Sequence, residues 1–201
     1  MTRLLSCAVM SPLIRSLAGL IFLLAQCCAS VSAAQTERAE ISFEGRTYQY
    51  VFIARMKGDI DAVHAVVTDY DRMQRINDDI VASRVLARYD NGELKRLLKL
   101  RHCILMFCFD MDFVERVRES AGHITTTIVP EESTFFDGTA HWQLETLPGG
   151  YTRVSVSARQ SPRFWIPPLL GPIILKRVFM REVAETCATI ERIVNAGASR
   201  D

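Results

Sequence analysis

Between Ile80 and Gln160 the chain is written in short alternating runs separated by tight-turn residues, a pattern that restricts the fold more than any other feature. VASRVLARY (81–89) stops at DNGE (90–93), a strong hairpin signal. ELKRLLKLRHC (93–103) runs to an apolar tip, ILMF (104–107), and CFDMDFVERVRES (108–120) runs back. AGHI (121–124) turns the chain into ITTTIVP (124–130). FDGTAHWQLETL (136–147) follows, and PGG (148–150) leads into YTRVSVSARQ (151–160). A period of two sends alternate side chains to opposite faces. Six such runs joined by short turns therefore predict an antiparallel meander with one buried face.

Helices flank this meander. ISFEGRTYQYVFIARMKG (41–58) is extended chain with a turn at Gly45. Gly58 breaks it, and Asp59 caps a short helix, DIDAVHAVVTDYD (59–71), whose Ile60, Val63, Val66 and Val67 recur at helical spacing. A second helical turn is expected from about Asp69 to Asn77. After Pro172 a helix is predicted from about Ile173 to Val194, with Gly197 as its stop. Leu175, Phe179, Val183, Cys187, Ile190 and Val194 form one apolar stripe, while Lys176, Arg181, Glu185 and Arg192 occupy other faces. A long helix with a single stripe must cover something, and the concave face of a curved sheet is the available surface. The fold class is α+β.

Residues 1–34 stand outside this design. Arg3 and Arg15, an apolar run from Leu17 to Ala25, and the small residues Ser32, Ala33 and Ala34 have the layout of a secretory signal peptide. The apolar run is about half the ~20 residues needed to span a bilayer. Cleavage of a lipoprotein type at Cys27 is disfavoured by Gln26 just before it. The expected localisation is secreted, with the periplasm as the compartment. Losing residues 1–34 removes Arg3 and Arg15 and no acid, moving the formal net charge from +1 to about −1. A balanced charge with no basic cluster argues against a nucleic-acid partner. In KRLLKLRH (95–102) leucines interrupt the basic residues as on a solvated sheet face. The same loss leaves Cys103, Cys108 and Cys187 out of six cysteines.

Strand, two short helices, six strands and a terminal helix resemble the START-like (SRPBCC) superfamily, which includes polyketide cyclases and coenzyme Q-binding proteins. The resembling stretches are VVTDYDRMQRI (66–76), SRVL (83–86), CILMFCF (103–109), PPLLGPIILKRVFMREV (167–183) and IERI (190–193). The resemblance implies that 35–201 is one START-like ligand-binding domain with a helix-grip fold. In that fold a curved antiparallel sheet wraps around a long C-terminal helix, with two short helices after the first strand region. It also implies a hydrophobic molecule held between sheet and helix.

Strand phase assigns the faces. Leu94, Leu98 and Leu100 share the inner face, with Lys95, Lys99 and Arg101 outside. On the returning strand Phe109, Met111 and Phe113 face inward, with Asp110, Asp112 and Arg116 outside. Cys103 and Cys108 both fall outside, on either side of a four-residue turn. That is the geometry of a cross-strand disulfide, which an exported protein permits. The bridge would hold residues 104–107 as a rigid apolar tip. A second uncharged stretch, FWIPPLLGPIIL (164–175), is too proline-rich to span a membrane and reads as a lid or as a transient membrane contact, as does the tip. The expected cavity lining is Leu98, Leu100, Met111, Phe113, Thr126, Ile128, Ala140, Trp142, Val154, Val156, Phe179 and Val183. Small residues beside large ones leave room there for a lipid, a sterol-like molecule or an isoprenoid quinone.

No catalytic motif is visible. His64, His102, His123 and His141 lie on different elements with no evident acid or nucleophile partner. GxSxG, HExxH and a glycine-rich phosphate loop are absent from the sequence. No second ligand pair has metal-site spacing beside the two cysteines, and no cofactor is expected. The sequence thus points to a non-catalytic carrier or chaperone for a hydrophobic small molecule. The alternatives are an aromatase/cyclase-type enzyme using the same cavity, favoured by a polar residue deep in the lining, and an envelope protein-interaction module.

Overall fold

The computed structural model describes residues 34–104, 107–164 and 171–198, and for 104, 107 and 171–175 the backbone alone. The segment 1–33, Leu105 and Met106 of the tip, 165–170 of the proline-rich stretch, and 199–201 lie outside the described residues.

Eight strands form one antiparallel sheet: β1 (Gln35–Glu44), β2 (Thr47–Lys57), β3 (Ile80–Arg88), β4 (Leu94–Ile104), β5 (Phe107–Ser120), β6 (His123–Ile128), β7 (Phe135–Leu147) and β8 (Tyr151–Pro162). Their order across the sheet is β1-β2-β8-β7-β6-β5-β4-β3. The meander thus runs back from β3 to β8, and β8 pairs with β2 of the first hairpin. β1 begins at Gln35, six residues before the extended stretch expected from Ile41. The turns follow the sequence signals: Gly149 and Gly150 have φ of 81° and 73°, which side chains with a Cβ resist.

Helix α1 (Ile60–Val67) is capped by Asp59, whose carboxylate accepts the Asp61 N–H at 2.8 Å. It buries Val63, Val66 and Val67. The expected second helical turn is a short 3₁₀ segment, Met73–Arg75, burying Met73. Helix α2 (Gly171–Ala198) starts two residues before and ends four after the predicted span. It continues through Gly197, so that glycine does not stop it.

The core lies between the inner face of the sheet and the two helices. From α2, Val183, Cys187, Ile190 and Val194 are buried, beside Ala54 and Met56 of β2, Val154 and Val156 of β8, and the apolar side of α1. Full burial of each Val or Ile contributes about 1.5–3 kcal/mol. Glu191 accepts the Lys57 N–H at 2.7 Å and ties α2 to the end of β2. α2 lies close to β1, β2 and α1.

Candidate ligand-binding site

Register places the ten strand residues among the twelve predicted lining positions on one face of the sheet. Leu98 pairs with Phe113 and Leu100 with Met111. Thr126 pairs with Ala140. Trp142 pairs with Val156, and Val154 with Leu144. Ile128 stands opposite Glu115. Phe179 and Val183 come from α2, with the Phe179 ring 5.1 Å from Tyr50 of β2.

Their accessibilities differ with position. Val154, Val156, Thr126, Ala140, Ile128 and Val183 are buried. Leu98, Leu100, Met111, Phe113, Trp142 and Phe179 face the same interior yet are only half-buried. These six apolar side chains therefore keep part of their surface accessible while facing the interior. The small residues sit together, with Ala140 opposite Ala158 and Gly138 opposite Gln160. Larger rings border them: Phe52 meets Trp142 edge-on at 6.1 Å. Phe135 stacks on Phe113 at 4.3 Å and meets Phe164 at 5.9 Å, and Phe109 lies 6.2 Å from Phe164. Phe164, the first residue of the proline-rich stretch, belongs to this aromatic group. Residues 165–170 and the side chains of 171–175, Leu175 among them, lie outside the described residues.

The lining is not uniformly apolar, which corrects the sequence-based expectation. Arg96 stands between Leu94 and Leu98 on the inner face, and Glu115 lies opposite it. Their side chains are 8% and 5% exposed, and Glu115 Oε2 accepts from Arg96 Nε at 2.9 Å and Nη2 at 2.7 Å. The Thr126 hydroxyl donates to Glu115 Oε1 at 2.9 Å. The guanidinium carbon lies 4.9 Å from the centre of the Tyr70 ring, whose hydroxyl donates to Glu119 at 2.9 Å. Beside them on the inner face Tyr48 donates to Gln160. Burial pushes the phenols of Tyr48, Tyr50 and Tyr70 well above their ordinary range. Arg96 was grouped with a solvated basic face; Lys95, Lys99 and Arg101 do lie on that face, but Arg96 does not. The signal was available, because alternation from Leu94 and Leu98 already carried Arg96 inward.

Two histidines also have acid partners, contrary to the reading from their spacing. His102 Nδ1 contacts Asp79 Oδ2, and His64 Nε2 lies 3.5 Å from Glu119. His141 faces out, 3.3 Å from the Thr125 hydroxyl. Asp79 sits just before β3, and the register of β3 against β4 carries it beside His102. Sequence separation hid the pair. Asp110 and Asp112 are outside as expected, ion-paired across strands to Arg101 at 2.6 Å and Lys99 at 2.7 Å.

Cys103 and Cys108 are directly paired, exposed and joined as a disulfide, with Cα atoms 4.0 Å apart. Cys187 is free and buried, and burial, with Glu191 adding to it, pushes its thiol up to about 12. A separate open groove of about 630 Å³ lies on the outer face, lined among others by Gln49, Val51, Thr127, Thr139, His141 and Ser157. These belong to the strand phase opposite to the predicted lining, but Tyr50, Ile128, Gly138 and Ala158 of the inner phase also border the groove, and Ile128 is one of the predicted lining residues.

No protein-family model matches the sequence, and no curated protein matches it. Solved structures do resemble the fold. A START superfamily protein from Mycobacterium smegmatis superimposes with a TM-score of 0.59 at 16% identity, covering 74% of this chain and 97% of that one. The Zhui aromatase/cyclase from Streptomyces sp. R1128 gives 0.54 at 14% identity over 77% and 94%. Human StAR-related lipid transfer protein 5 gives 0.55 at 12% identity over 92% and 96%. At such identities the likeness is one of architecture: the chain has the START-like, helix-grip α+β fold.

Proposed function

We propose that this START-like domain binds a hydrophobic small molecule with a polar end, as a non-covalent carrier or chaperone rather than an enzyme. The observation that carries the reading is the buried Arg96–Glu115 pair set in a largely apolar inner wall. Apolar area removed from water, at about 25 cal/mol per Å², supplies affinity. A desolvated pair with donors and acceptors fixes orientation, because a ligand hydroxyl or carbonyl placed there finds partners and a pure hydrocarbon does not. Lipids, sterol-like molecules and isoprenoid quinones all have this form. The structural neighbours support the class: solved proteins of the same fold include StAR-related lipid transfer proteins.

Export is part of the proposal. A disulfide on an exposed hairpin supports an oxidising compartment, which agrees with reading residues 1–34 as a signal peptide and the periplasm as the destination. In that setting the uncharged stretches 164–175 and 104–107 are the parts that would meet a membrane during loading. The experiment is organic extraction of the purified mature chain, residues 35–201, followed by mass spectrometry. A stoichiometric amphipathic lipid is expected, and a reproducibly empty protein would end the carrier reading.

One observation favours an aromatase/cyclase-type enzyme as the second reading. Buried polar side chains inside the lining are what such chemistry needs, and the neighbours include aromatase/cyclases. Turnover of a poly-β-keto thioester, lost in Arg96→Met with binding retained, would move the assignment there.

A further inference from the structure

We propose that the interior of this domain selects a ligand whose polar head is an uncharged oxygen, a hydroxyl or a carbonyl, and rejects carboxylate and phosphate heads. The inference rests on the carrier reading and narrows it to one class of cargo.

Charge balance inside the fold is the first observation. Among the described residues the buried charged side chains are Arg96, Glu115 and Glu191, one positive against two negative. Arg96 is already engaged: its Nε and Nη2 both donate to Glu115 Oε2, at 2.9 Å and 2.7 Å, and its guanidinium lies over the Tyr70 ring. Glu191 is held by the Lys57 backbone N–H at 2.7 Å, and no cationic side chain among the described residues is ion-paired with it. Glu119 shares the face of β5 that carries Glu115 and adds a further, half-buried acid, beside the Tyr70 hydroxyl and His64. An anionic head brought in here would lose its water, find no free cation and meet like charge. Burial of an ion without a counterion is strongly unfavourable.

Neutral donors are the second observation. Tyr50 is on the inner phase of β2, and its ring lies 5.1 Å from that of Phe179 on α2. Its hydroxyl makes no hydrogen bond to any described residue. Two positions earlier Tyr48 donates to Gln160 Oε1, which leaves Gln160 Nε2, on a residue 5% exposed, without a described partner. Burial, and after it the Glu115 charge, holds the Tyr50 phenol far above its ordinary range, so the group stays a neutral donor. A ligand hydroxyl or carbonyl oxygen accepts from an O–H or an amide N–H and brings no charge with it. The polar groups of β2 and β8 thus offer what an uncharged head needs, while the charges of β4 and β5 are closed on each other.

The test is displacement of an apolar fluorescent probe from the mature chain by alkyl chains of matched length, under conditions that keep palmitate ionised. Hexadecanol and a methyl alkyl ketone should compete about tenfold or more better than palmitate and hexadecyl phosphate. Glu115→Gln, checked for native circular dichroism, frees the Arg96 charge and should shift the preference toward palmitate by about tenfold. Tyr50→Phe keeps the ring and should weaken the ketone about fivefold while leaving a plain alkane unchanged. Palmitate competing as well as hexadecanol overturns the inference and leaves the carrier reading standing. So does an unchanged order of preference in both variants. A chain that binds neither the probe nor any of these ligands ends both.

Discussion

Replacing Arg96 by Met tests whether the polar floor is as dry as its contacts imply. The substitution keeps much of the stem volume but leaves Glu115, 5% exposed, with only the Thr126 hydroxyl as partner. Breaking a buried pair from one side costs about 3–5 kcal/mol, because an uncompensated charge stays behind. With a urea m-value of about 2 kcal/mol/M for a domain of this size, the midpoint should fall by roughly 1.5–2.5 M. Removing both charges, as Arg96→Met with Glu115→Leu, should restore stability to within about 1 kcal/mol of the parent or exceed it. The double variant also separates folding from function. It should still take up a purely apolar fluorescent probe and should lose preference for one with a terminal hydroxyl. Equilibrium urea unfolding by circular dichroism, completed as a double-mutant cycle, gives the coupling. A loss below about 1 kcal/mol in Arg96→Met would show that water reaches Glu115, and the polar-end argument would fail with it.

Ala140→Leu distinguishes hollow from solid: with room beside Thr126 and Ala158 it should cost under about 1 kcal/mol and displace ligand, whereas a filled interior should lose about 1–3 kcal/mol. Cys103→Ser with Cys108→Ser opens a ring with a sequence separation of 5. Chain entropy then predicts a loss of about 2 kcal/mol, read as a urea midpoint shift. The folded state holds the protons of Cys187, Tyr48, Tyr50 and Tyr70 more tightly than the unfolded chain does. Stability should thus be complete below pH 9 and fall as pH rises. Cys187 alone, pushed from 9.0 to about 12, accounts for as much as about 4 kcal/mol. A flat urea midpoint between about pH 9 and 11 would contradict this. Gly58→Ala would put a Cβ 2.6 Å from Val194 Cγ1 and should cost about 1–3 kcal/mol by thermal melting.

Much of the architecture was readable because its signals are local. The turns at 90–93, 121–124 and 148–150 fix where strands reverse, and period two then fixes which side chains share a face. The phase argument reached as far as the disulfide: two opposite parities across a four-residue turn put Cys103 against Cys108. Pairing of β2 with β8 was less accessible, since residues about a hundred positions apart meet there without any motif to announce it. The start of β1 was missed because QTERAE (35–40) is polar on its exposed side and carries little hydrophobic contrast.

The site was legible only where identity and phase agreed. Leucine, valine and phenylalanine at inward positions were assigned correctly because both signals pointed the same way. Arg96 and Glu115 set them against each other: charge type argued for solvent, and alternation argued for the interior. The structure resolves this through pairing, since each ion alone would be intolerable there and the two together are not. Asp79 and His102 show the opposite failure, with chemistry plain in each residue but proximity created only by the β3–β4 register. A polar residue that keeps the phase of an apolar strand face should therefore be read as half of a buried pair whose partner stands on the neighbouring strand. By that rule Arg96 alone, with β5 set against β4 by the 103–108 hairpin, leads directly to Glu115.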